Sequence, residues 1–216
     1  MHETALTEEG KRLFPRFAKF KEFYLVGGTG LALQIGHRLS VDFDFFSEKE
    51  LSGQILPNVK RVFPQANLEV TYRSFEQLNV LINTIKTTFL YYPYPLIEDP
   101  LRYHGVRIAT VSEIAAMKAV SIGRRLSYKD YVDWYFLLRE GHVTLDAVIE
   151  LSRKKYGGEF NARLFLGQLA SVDDVADQAI DFLRDEIGRN TIRQYLNAAI
   201  RDLMDHREKK REKAHG

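Results

Sequence analysis

The 216-residue sequence contains no cysteine, a single tryptophan and only six prolines. Without cysteine the chain can form neither a disulfide nor a thiolate metal site. Apolar residues never form an uninterrupted run approaching about 18 residues, the length that a membrane-spanning helix needs. The first residues, MHETALTEEGKRLF, contain no apolar core of signal-peptide length. We therefore expect a soluble, cytoplasmic protein with no membrane partner.

A large excess of charge of one sign is also absent. The chain has 31 Lys and Arg against 29 Asp and Glu, a formal net charge of +2. This balance argues against a surface built wholly for polyanions, although local basic patches remain compatible with it. A hydrophobic content of 45% and an aromatic content of 12% are typical of a globular protein with a proper core.

A paired glycine marks the first candidate site. The apolar run Phe23–Val26 ends at Gly27 and Gly28, and a helical pattern follows over Thr29–Ile35. Glycines let the backbone approach a ligand closely, and the N–H groups at the start of a helix favour phosphate. The same pair is equally typical of a tight strand-to-helix turn that binds nothing.

Two carboxylates on the next apolar run strengthen the site interpretation. The predicted strand Val41–Phe46 carries Asp42 and Asp44, and side chains at i and i+2 on a strand share one face. Two acids on one face repel each other unless a cation lies between them. Mg²⁺ prefers carboxylate oxygens and completes its shell with waters and substrate phosphates. Together with the glycine turn, this pair predicts a nucleotide site.

The remaining pattern predicts an α+β core followed by a helical C-terminal half. Further strands are predicted over residues 68–72, 77–82, 85–92 and 106–109, with a hairpin connection at Asn83-Thr84. Helices are predicted over residues 5–20, 48–63, 110–125, 127–139, 144–156, 161–169, 172–187 and 191–204. The predicted domains are a core over residues 1–140, a helical region over 141–205 and a disordered basic tail over 206–216.

Two segments resemble one known family. The segment GGTGLALQIGHRLSVDFDFF resembles the opening motif of the nucleotidyltransferase-fold proteins known as the AbiEii/AbiGii toxin family, within the polymerase-β-like superfamily. The later segment MKAVSIGRRLSYKDYVDWYFLL is similar to that family's second signature, a helix with a Lys followed by a Lys-Asp-x-x-Asp helix. The resemblance covers residues 20–140 and implies a nucleotidyltransferase-like mixed β-sheet core flanked by helices.

The resemblance also implies a reaction and its partners. Family members transfer a nucleoside monophosphate from a nucleoside triphosphate to an acceptor, tRNA ends are acceptors for relatives, and some members are toxins paired with an antitoxin protein. By position, the resemblance assigns the triphosphate to Gly27, Gly28, Thr29 and Ser40. It assigns Mg²⁺, as one ion or two, to Asp42 and Asp44. Metal ions of this kind neutralise charge on the transferring phosphoryl group.

The second segment supplies two more candidates, Lys118 and Asp130. By helical spacing alone Lys118 is a surface residue, whereas the resemblance implies that it contacts phosphate. Asp130 and Asp133 share one helical face, and Asp130 also lies where an acid simply favours a helix start. The functional interpretation makes Asp130 a carboxylate facing Asp42 that is either catalytic itself or acts through the residues that contact the substrate.

One departure from the wider superfamily leaves alternatives open. Polymerase-like transferases carry a third carboxylate on a neighbouring strand, but the segment IKTTFLYY has Thr87 and Thr88 in that place. The leading hypothesis is a Mg²⁺-dependent nucleotidyltransferase, for which RNA or tRNA is one candidate acceptor. A nucleotide- or RNA-binding module without catalysis is the second. A small-molecule transferase resembling the aminoglycoside-modifying enzymes is the third.

Two further groups of residues have two interpretations each. His37 and Arg38 either contact phosphate or merely solvate their loop. Tyr91, Tyr92 and Tyr94 either stack on a base or pack against a sheet edge, of which the second is more common.

Overall fold

The computed structural model describes residues 1–124 and 127–215. The strands are β1 Tyr24–Val26, β2 Phe43–Ser47, β3 Leu68–Arg73, β4 Gln77–Ile82, β5 Ile85–Tyr91, β6 Leu101–Tyr103 and β7 Val106–Ile108. The α-helices are α1 Glu8–Leu13, α2 Gly27–Ile35, α3 Ile55–Val62, α4 Val111–Ser121, α5 Tyr128–Arg139, α6 Leu145–Tyr156, α7 Ala162–Ala170 and α8 Arg189–His215. Short 3₁₀ segments lie at Glu3–Ala5, Phe14–Lys19, Gly157–Glu159 and Val172–Asp174. Within these ranges the strands form one seven-stranded mixed sheet in the order β3-β4-β5-β2-β1-β7-β6. The predicted α+β fold is confirmed.

The chain divides into two compact units. The first contains Met1–Ile114 together with Asp181–Arg184 and holds the sheet. The second contains Ala115–Ile180 together with Asp185–Gly216 and is helical. The predicted domain boundary between residues 140 and 141 stays a prediction. Nowhere in the described ranges does a helix combine the length and the apolarity needed to cross a membrane.

Strand pairing aligns one residue from each of five neighbouring strands. Val26 pairs with Asp44, and Asp44 pairs with Thr88 of the parallel strand β5. Thr88 pairs with Asn79, and Asn79 pairs with Tyr72 of the edge strand β3. Because directly paired residues point to the same side of a sheet, these five side chains share one face.

The opposite face of the sheet builds the core of the first unit. Phe43, Phe45 and Phe89 are buried there. The ring centroid of Phe17 lies 4.6 Å from that of Phe45 and 5.0 Å from that of Phe43. Since side chains alternate along a strand, burial of Phe43 and Phe45 turns Asp44 away from this core.

The N-terminal half differs from the prediction at three element boundaries. The helix predicted over residues 5–20 is helical but broken, because α1 ends at Leu13 and a 3₁₀ segment containing Pro15 follows. Proline has no N–H group and cannot continue the α-helical hydrogen bonds. The helix predicted over residues 48–63 begins only at Ile55. The strand predicted from Val41 begins at Phe43, so that Asp42 lies in the preceding loop.

Two hairpins surround the central strands. The predicted connection at Asn83-Thr84 is confirmed, because β4 and β5 are antiparallel and Ile82 pairs with Ile85. The sequence did not predict strand β6, which pairs with β7 across a turn at His104 and Gly105. Both turn residues have positive φ, +47° and +79°, as two-residue hairpin turns often require.

Most predicted C-terminal helices are confirmed. The side chain of Thr144 accepts a hydrogen bond from Ala147 N, and that of Asn161 accepts one from Leu164 N. These side-chain acceptors satisfy backbone donors in the first turn, which fixes where α6 and α7 begin.

The prediction of a helix over residues 172–187 is wrong. Only the short 3₁₀ segment forms there, and the chain is then irregular to residue 188. The segment Asp181–Arg184 instead forms tertiary hydrogen bonds within the first unit, including one of 3.1 Å from Leu183 N to His37 O. Long-range backbone pairing therefore outweighs the local helical pattern.

Helix α8 continues to His215, through the segment that was expected to be disordered. Lys, Glu and Arg have high helix propensity, which favours this continuation. Arg207 also anchors the helix within the second unit, since its Nη2 lies 2.7 Å from Asp146 Oδ1. Arg125, the predicted end of the helix over residues 110–125, lies outside the described residues.

Candidate active site

The turn between β1 and α2 is built around Gly27. Its φ of +66° lies in the left-handed region that residues with a side chain rarely adopt. Asp44 pairs with Val26, the residue before this turn. A Cβ placed on Gly27 would lie 2.6 Å from Asp44 Oδ2. The half-buried carboxylate of Asp44 therefore points toward the turn at Gly27 and fills the space that a side chain on Gly27 would need.

Gly28 leaves room for a positive charge. A Cβ placed on Gly28 would lie 2.6 Å from Arg38 Nη2 and 3.4 Å from Ser40 Oγ. Arg38 is only 4% exposed, and its Nη1 donates to the Leu39 carbonyl at 3.1 Å. His37 is fully buried beside it. The interpretation that His37 and Arg38 merely solvate their loop is therefore wrong.

Hydroxyl groups tie the start of α2 to the loop before β2. Thr29 Oγ1 lies 2.8 Å from Ser40 Oγ and donates to the Asp42 carbonyl. Since a threonine hydroxyl has one hydrogen, Ser40 is the donor in the contact between the two hydroxyls. Ser40 N in turn donates to the Ala5 carbonyl at 2.9 Å. Thr29 and Ser40 thus hold the backbone of Asp42 in place.

The N-terminus of α2 offers backbone donors to an anion. The helix has nine residues, and its N-cap residue, Val26, makes no side-chain capping hydrogen bond. The first N–H groups of a helix have no partner inside the helix and carry the positive end of its dipole. Together with the guanidinium of Arg38 beside Gly28, they form an electropositive corner suited to phosphate oxygens.

Asp42 and Asp44 differ in their surroundings. Asp42 is exposed in the loop before β2, whereas Asp44 is half-buried on the strand. Among residues 1–124 and 127–215, no group of three or more His, Cys, Asp or Glu side chains is arranged to hold a metal ion. Mg²⁺ commonly uses one or two carboxylates together with waters and substrate phosphates. The donor pair at this corner fits that kind of ion, and its role as a metal site stays a prediction.

Thr88 lies beside Asp44, at the position where polymerase-like transferases would carry a third carboxylate. The two residues are direct partners across β2 and β5, and the next residue along that row is Asn79. Thr87 pairs with Phe43 and is buried on the core side. A neutral hydroxyl and an amide therefore continue the row in which Asp44 lies.

Lys118 and Asp130 lie together in the second unit. Lys118 Nζ is 2.7 Å from Asp130 Oδ1 and 2.6 Å from Asp133 Oδ2, and all three side chains are buried. Burial lowers the pKa of Lys118, but the charges and hydrogen bonds of the two carboxylates outweigh burial and raise its pKa above the ordinary value. The interpretation of Lys118 as a surface residue is therefore wrong. Its predicted phosphate contact and the predicted catalytic role of Asp130 stay predictions.

Six of the predicted residues are brought together around the start of α2: Gly27, Gly28, Thr29, Ser40, Asp42 and Asp44. Sequence reasoning left two interpretations open for Arg38 and did not predict its burial, because an arginine in a short loop carries no signal of burial. It also missed that Asp133 completes the ion cluster of Lys118. The i, i+3 spacing of Asp130 and Asp133 was the available signal, but their partner lies on another helix.

The sequence matches a family model described as the nucleotidyl transferase AbiEii toxin of a Type IV toxin–antitoxin system, over residues 11–95 and 84–214. The chain is also 32% identical over 183 residues to the uncharacterized protein aq_aa25 of Aquifex aeolicus (strain VF5). That match covers 81% of this chain and 88% of the Aquifex protein.

Two crystal structures have a similar fold. A candidate nucleotidyltransferase from H. pylori gives a TM-score of 0.63 at 20% sequence identity, with 94% of this chain and 98% of that chain covered. The protein JHP933 from Helicobacter pylori gives a TM-score of 0.57 at 18% identity, with 97% and 98% covered. At these identities the likeness describes the fold alone.

Proposed function

The chain belongs to the AbiEii nucleotidyltransferase toxin family, and we propose that it transfers a nucleoside monophosphate from a nucleoside triphosphate to an RNA acceptor. In this reaction a hydroxyl oxygen of the acceptor forms a bond to the α-phosphorus. The bond from that phosphorus to the bridging oxygen breaks, pyrophosphate leaves, and the hydroxyl proton passes to solvent.

One observation carries the proposal: opposite charges flank the first turn of α2. Asp44 Oδ2 occupies the space over Gly27, and Arg38 Nη2 occupies the space over Gly28. A triphosphate needs donors and positive charge for its oxygens, while the attack on phosphorus needs groups that neutralise the developing negative charge. The helix N-terminus and Arg38 meet the first need.

Magnesium would meet the second need. Asp42 and Asp44 would hold Mg²⁺, which would neutralise charge on the phosphates and lower the barrier to attack. The bonds from Thr29 to Ser40 and to the Asp42 carbonyl keep the loop that carries Asp42 against α2. These two hydroxyl residues therefore position the loop that carries Asp42, whereas strand β2 positions Asp44.

Lys118 and Asp130 have a supporting part in the proposal. An ammonium has three N–H donors, and two of those of Lys118 are used by Asp130 and Asp133. The two carboxylates keep the buried lysine charged. Asp130 thus acts by orienting Lys118.

The family description supports a biological setting for the reaction. Because it names a Type IV toxin–antitoxin system, we extend the proposal to a toxin that modifies cellular RNA, such as tRNA, in the cytoplasm and is opposed by a cognate antitoxin protein.

The test is transfer of label to RNA. The protein is incubated with α-labelled nucleoside triphosphates, Mg²⁺ and total RNA, and the RNA is separated on a denaturing gel. We expect labelled RNA, its loss on chelation with EDTA, and a decrease of roughly 100-fold or more in Asp42→Asn and Asp44→Asn, the size typical of removing a group that stabilises developing charge. Asp99→Asn, an exposed acid outside the site, is the matched control and should retain activity.

Two results would contradict the proposal. Transfer by Asp42→Asn and Asp44→Asn at the wild-type rate would refute the site. Failure of the folded wild-type protein to label any RNA with any triphosphate would refute the reaction. Calorimetric triphosphate binding in that second case would favour the non-catalytic binding module, which the neutral Thr88 beside Asp44 also favours. Label on an aminoglycoside instead of RNA would favour the small-molecule transferase.

A further inference from the structure

One face of the sheet in the first unit is only partly covered. Along β4 the side chains Leu78, Val80 and Ile82 are buried in the core, whereas the alternating residues Gln77 and Asn79 remain half-buried on the other side. Asn79 belongs to the row that pairs Asp44 with Thr88, Thr88 with Asn79 and Asn79 with Tyr72. We call the side that carries Asp44, Thr88, Asn79, Gln77 and Tyr72 the open sheet face; Thr88 is buried in it, whereas the other four are half-buried or exposed.

Two exposed aromatic rings lie at the edge of the sheet, Tyr72 on this face and Phe75 in the turn between β3 and β4. Tyr72 on β3 is 52% exposed, and Phe75 in the following turn is 79% exposed. Aromatic rings exposed near one another offer flat apolar surfaces on which nucleobases can stack. Three strand spacings separate Tyr72 from Asp44, a distance of about 14 Å.

The turn that carries Phe75 is held by its own hydrogen bonds. Ser74 Oγ accepts hydrogen bonds from Glu76 N at 3.2 Å and from Gln77 N at 3.0 Å. Ser74 N donates to the Gln77 carbonyl at 2.8 Å. The backbone is therefore fixed while the Phe75 ring points into solvent, so that little ordering is needed before the ring contacts a ligand.

The polar groups between the rings and Asp44 are mainly uncharged. Gln77 Nε2 donates to Asn79 Oδ1 at 2.8 Å, which orients both amides on this face. Amides and hydroxyls suit the hydrogen-bonding edges of nucleobases, and aromatic rings suit their faces. Lys86 and Glu69 both pair with Leu81 and are exposed on the same face, so that their charges balance and the face is suited to bases rather than to phosphates.

We propose that the open sheet face is the acceptor-binding surface, and that its occupant is the single-stranded end of an RNA. The bases stack on Tyr72 and Phe75 and hydrogen-bond to Asn79 and Gln77, which directs the terminal hydroxyl along the row toward Asp44. Unpaired bases are required, because a duplex hides their faces. The inference rests on the proposed function, since it places that reaction's acceptor.

Binding of RNA tests the inference without any transfer reaction. Fluorescence anisotropy with a labelled single-stranded oligoribonucleotide is measured for the full-length protein in the absence of triphosphate. Stacking of one base on one aromatic side chain typically changes affinity by a factor of about 5 to 150. We expect Tyr72→Ala and Phe75→Ala each to weaken binding about fivefold or more, and Tyr72→Phe to bind like the wild type.

The control is Leu101→Ala. Leu101 is an exposed apolar residue on β6, at the opposite edge of the same sheet, and its replacement should leave RNA affinity unchanged. Because Tyr72 and Phe75 are exposed, their alanine variants should keep the wild-type melting temperature, which circular dichroism verifies.

The results separate this inference from the proposed function. Wild-type affinity in the Tyr72→Ala/Phe75→Ala double variant, or stronger binding of duplex than of single-stranded RNA, would overturn the acceptor surface even if label transfer occurs. Loss of RNA affinity in that double variant, with Asp44-dependent label transfer to RNA reduced in parallel, would support it. RNA binding that depends on Tyr72, without transfer to any acceptor, would refute the reaction and leave the RNA surface standing.

Discussion

At the scale of single residues, Gly27 and Gly28 are needed for the charged side chains of the protein itself. The sequence suggested that their missing side chains admit a substrate phosphate. In the structure the space over Gly27 is filled by the carboxylate of Asp44, and that over Gly28 by the guanidinium of Arg38. The two glycines therefore let one acidic and one basic group converge on a single helix start.

Gly27→Ala should be clearly destabilising. Alanine would have to adopt a left-handed φ, which costs roughly 1–2 kcal/mol, and its Cβ would displace the Asp44 carboxylate. We expect the free energy of unfolding, measured by urea titration, to fall by about 2 kcal/mol or more. Gly53→Ala is the control, because a Cβ there meets nothing within 4 Å and no positive φ opposes it. Equal stability of the two variants would contradict the described turn.

At the scale of elements, an ion cluster joins α4 to α5. Lys118 comes from α4, and its two carboxylate partners, Asp130 and Asp133, lie one turn apart on α5. Their close distances to Lys118 Nζ and their burial make the three charges mutually dependent. Removing one buried partner leaves the others uncompensated.

Lys118→Met should therefore destabilise the protein strongly. Breaking a buried ion pair by removal of one partner typically costs about 3–5 kcal/mol, and here two carboxylates would be left side by side. We expect a loss of that size in urea unfolding. In the background of Lys118→Met, the changes Asp130→Asn and Asp133→Asn should restore part of the stability, because they remove the unpaired charges.

A lysine that serves only as a phosphate ligand predicts the opposite pattern. In that case Lys118→Met would abolish transfer while the unfolding curve remained that of the wild type. The added Asn substitutions would then have no stabilising effect. Comparing the three unfolding curves therefore separates a structural contribution of Lys118 from a purely catalytic one.

At the scale of the whole molecule, the pKa shifts make stability sensitive to alkaline pH. Burial, together with nearby carboxylates, raises the pKa of Tyr24 above its ordinary value of 10.0. The pKa of Lys118 is raised above its ordinary value of 10.5. In each case the folded protein keeps a proton at a pH at which the unfolded chain has already released it. The free energy of unfolding that this proton contributes is therefore complete below the ordinary pKa of the group and is lost as the pH rises above it.

We expect the free energy of unfolding to be nearly constant between pH 8 and 9 and to fall above pH 10. Each such group contributes a slope of about 1.4 kcal/mol per pH unit once its unfolded form has lost its proton. Urea unfolding at a series of pH values measures this slope, and Tyr24→Phe should make it shallower. Stability that does not change up to pH 11, or a slope unaffected by Tyr24→Phe, would contradict the described burial.

The sequence by itself determined the features that depend on neighbouring residues. The turn at Asn83-Thr84 and the starts of α6 at Thr144 and α7 at Asn161 are formed by residues a few positions apart. The same holds for the glycine turn and the acids that follow it. Local backbone preference and local hydrogen bonds were sufficient to predict these features.

Only the tertiary structure decided the rest, because it depends on residues far apart in the chain. The pattern over residues 172–187 is helical, yet Leu183 N pairs with His37 O and the helix does not form. Arg38 is buried because Gly28 leaves space for it, and Lys118 is charged in the interior because α5 brings it two carboxylates. Long-range pairing and packing outweigh the small free energies of local propensity. A sequence pattern reflects only local propensity, so it could not predict these features.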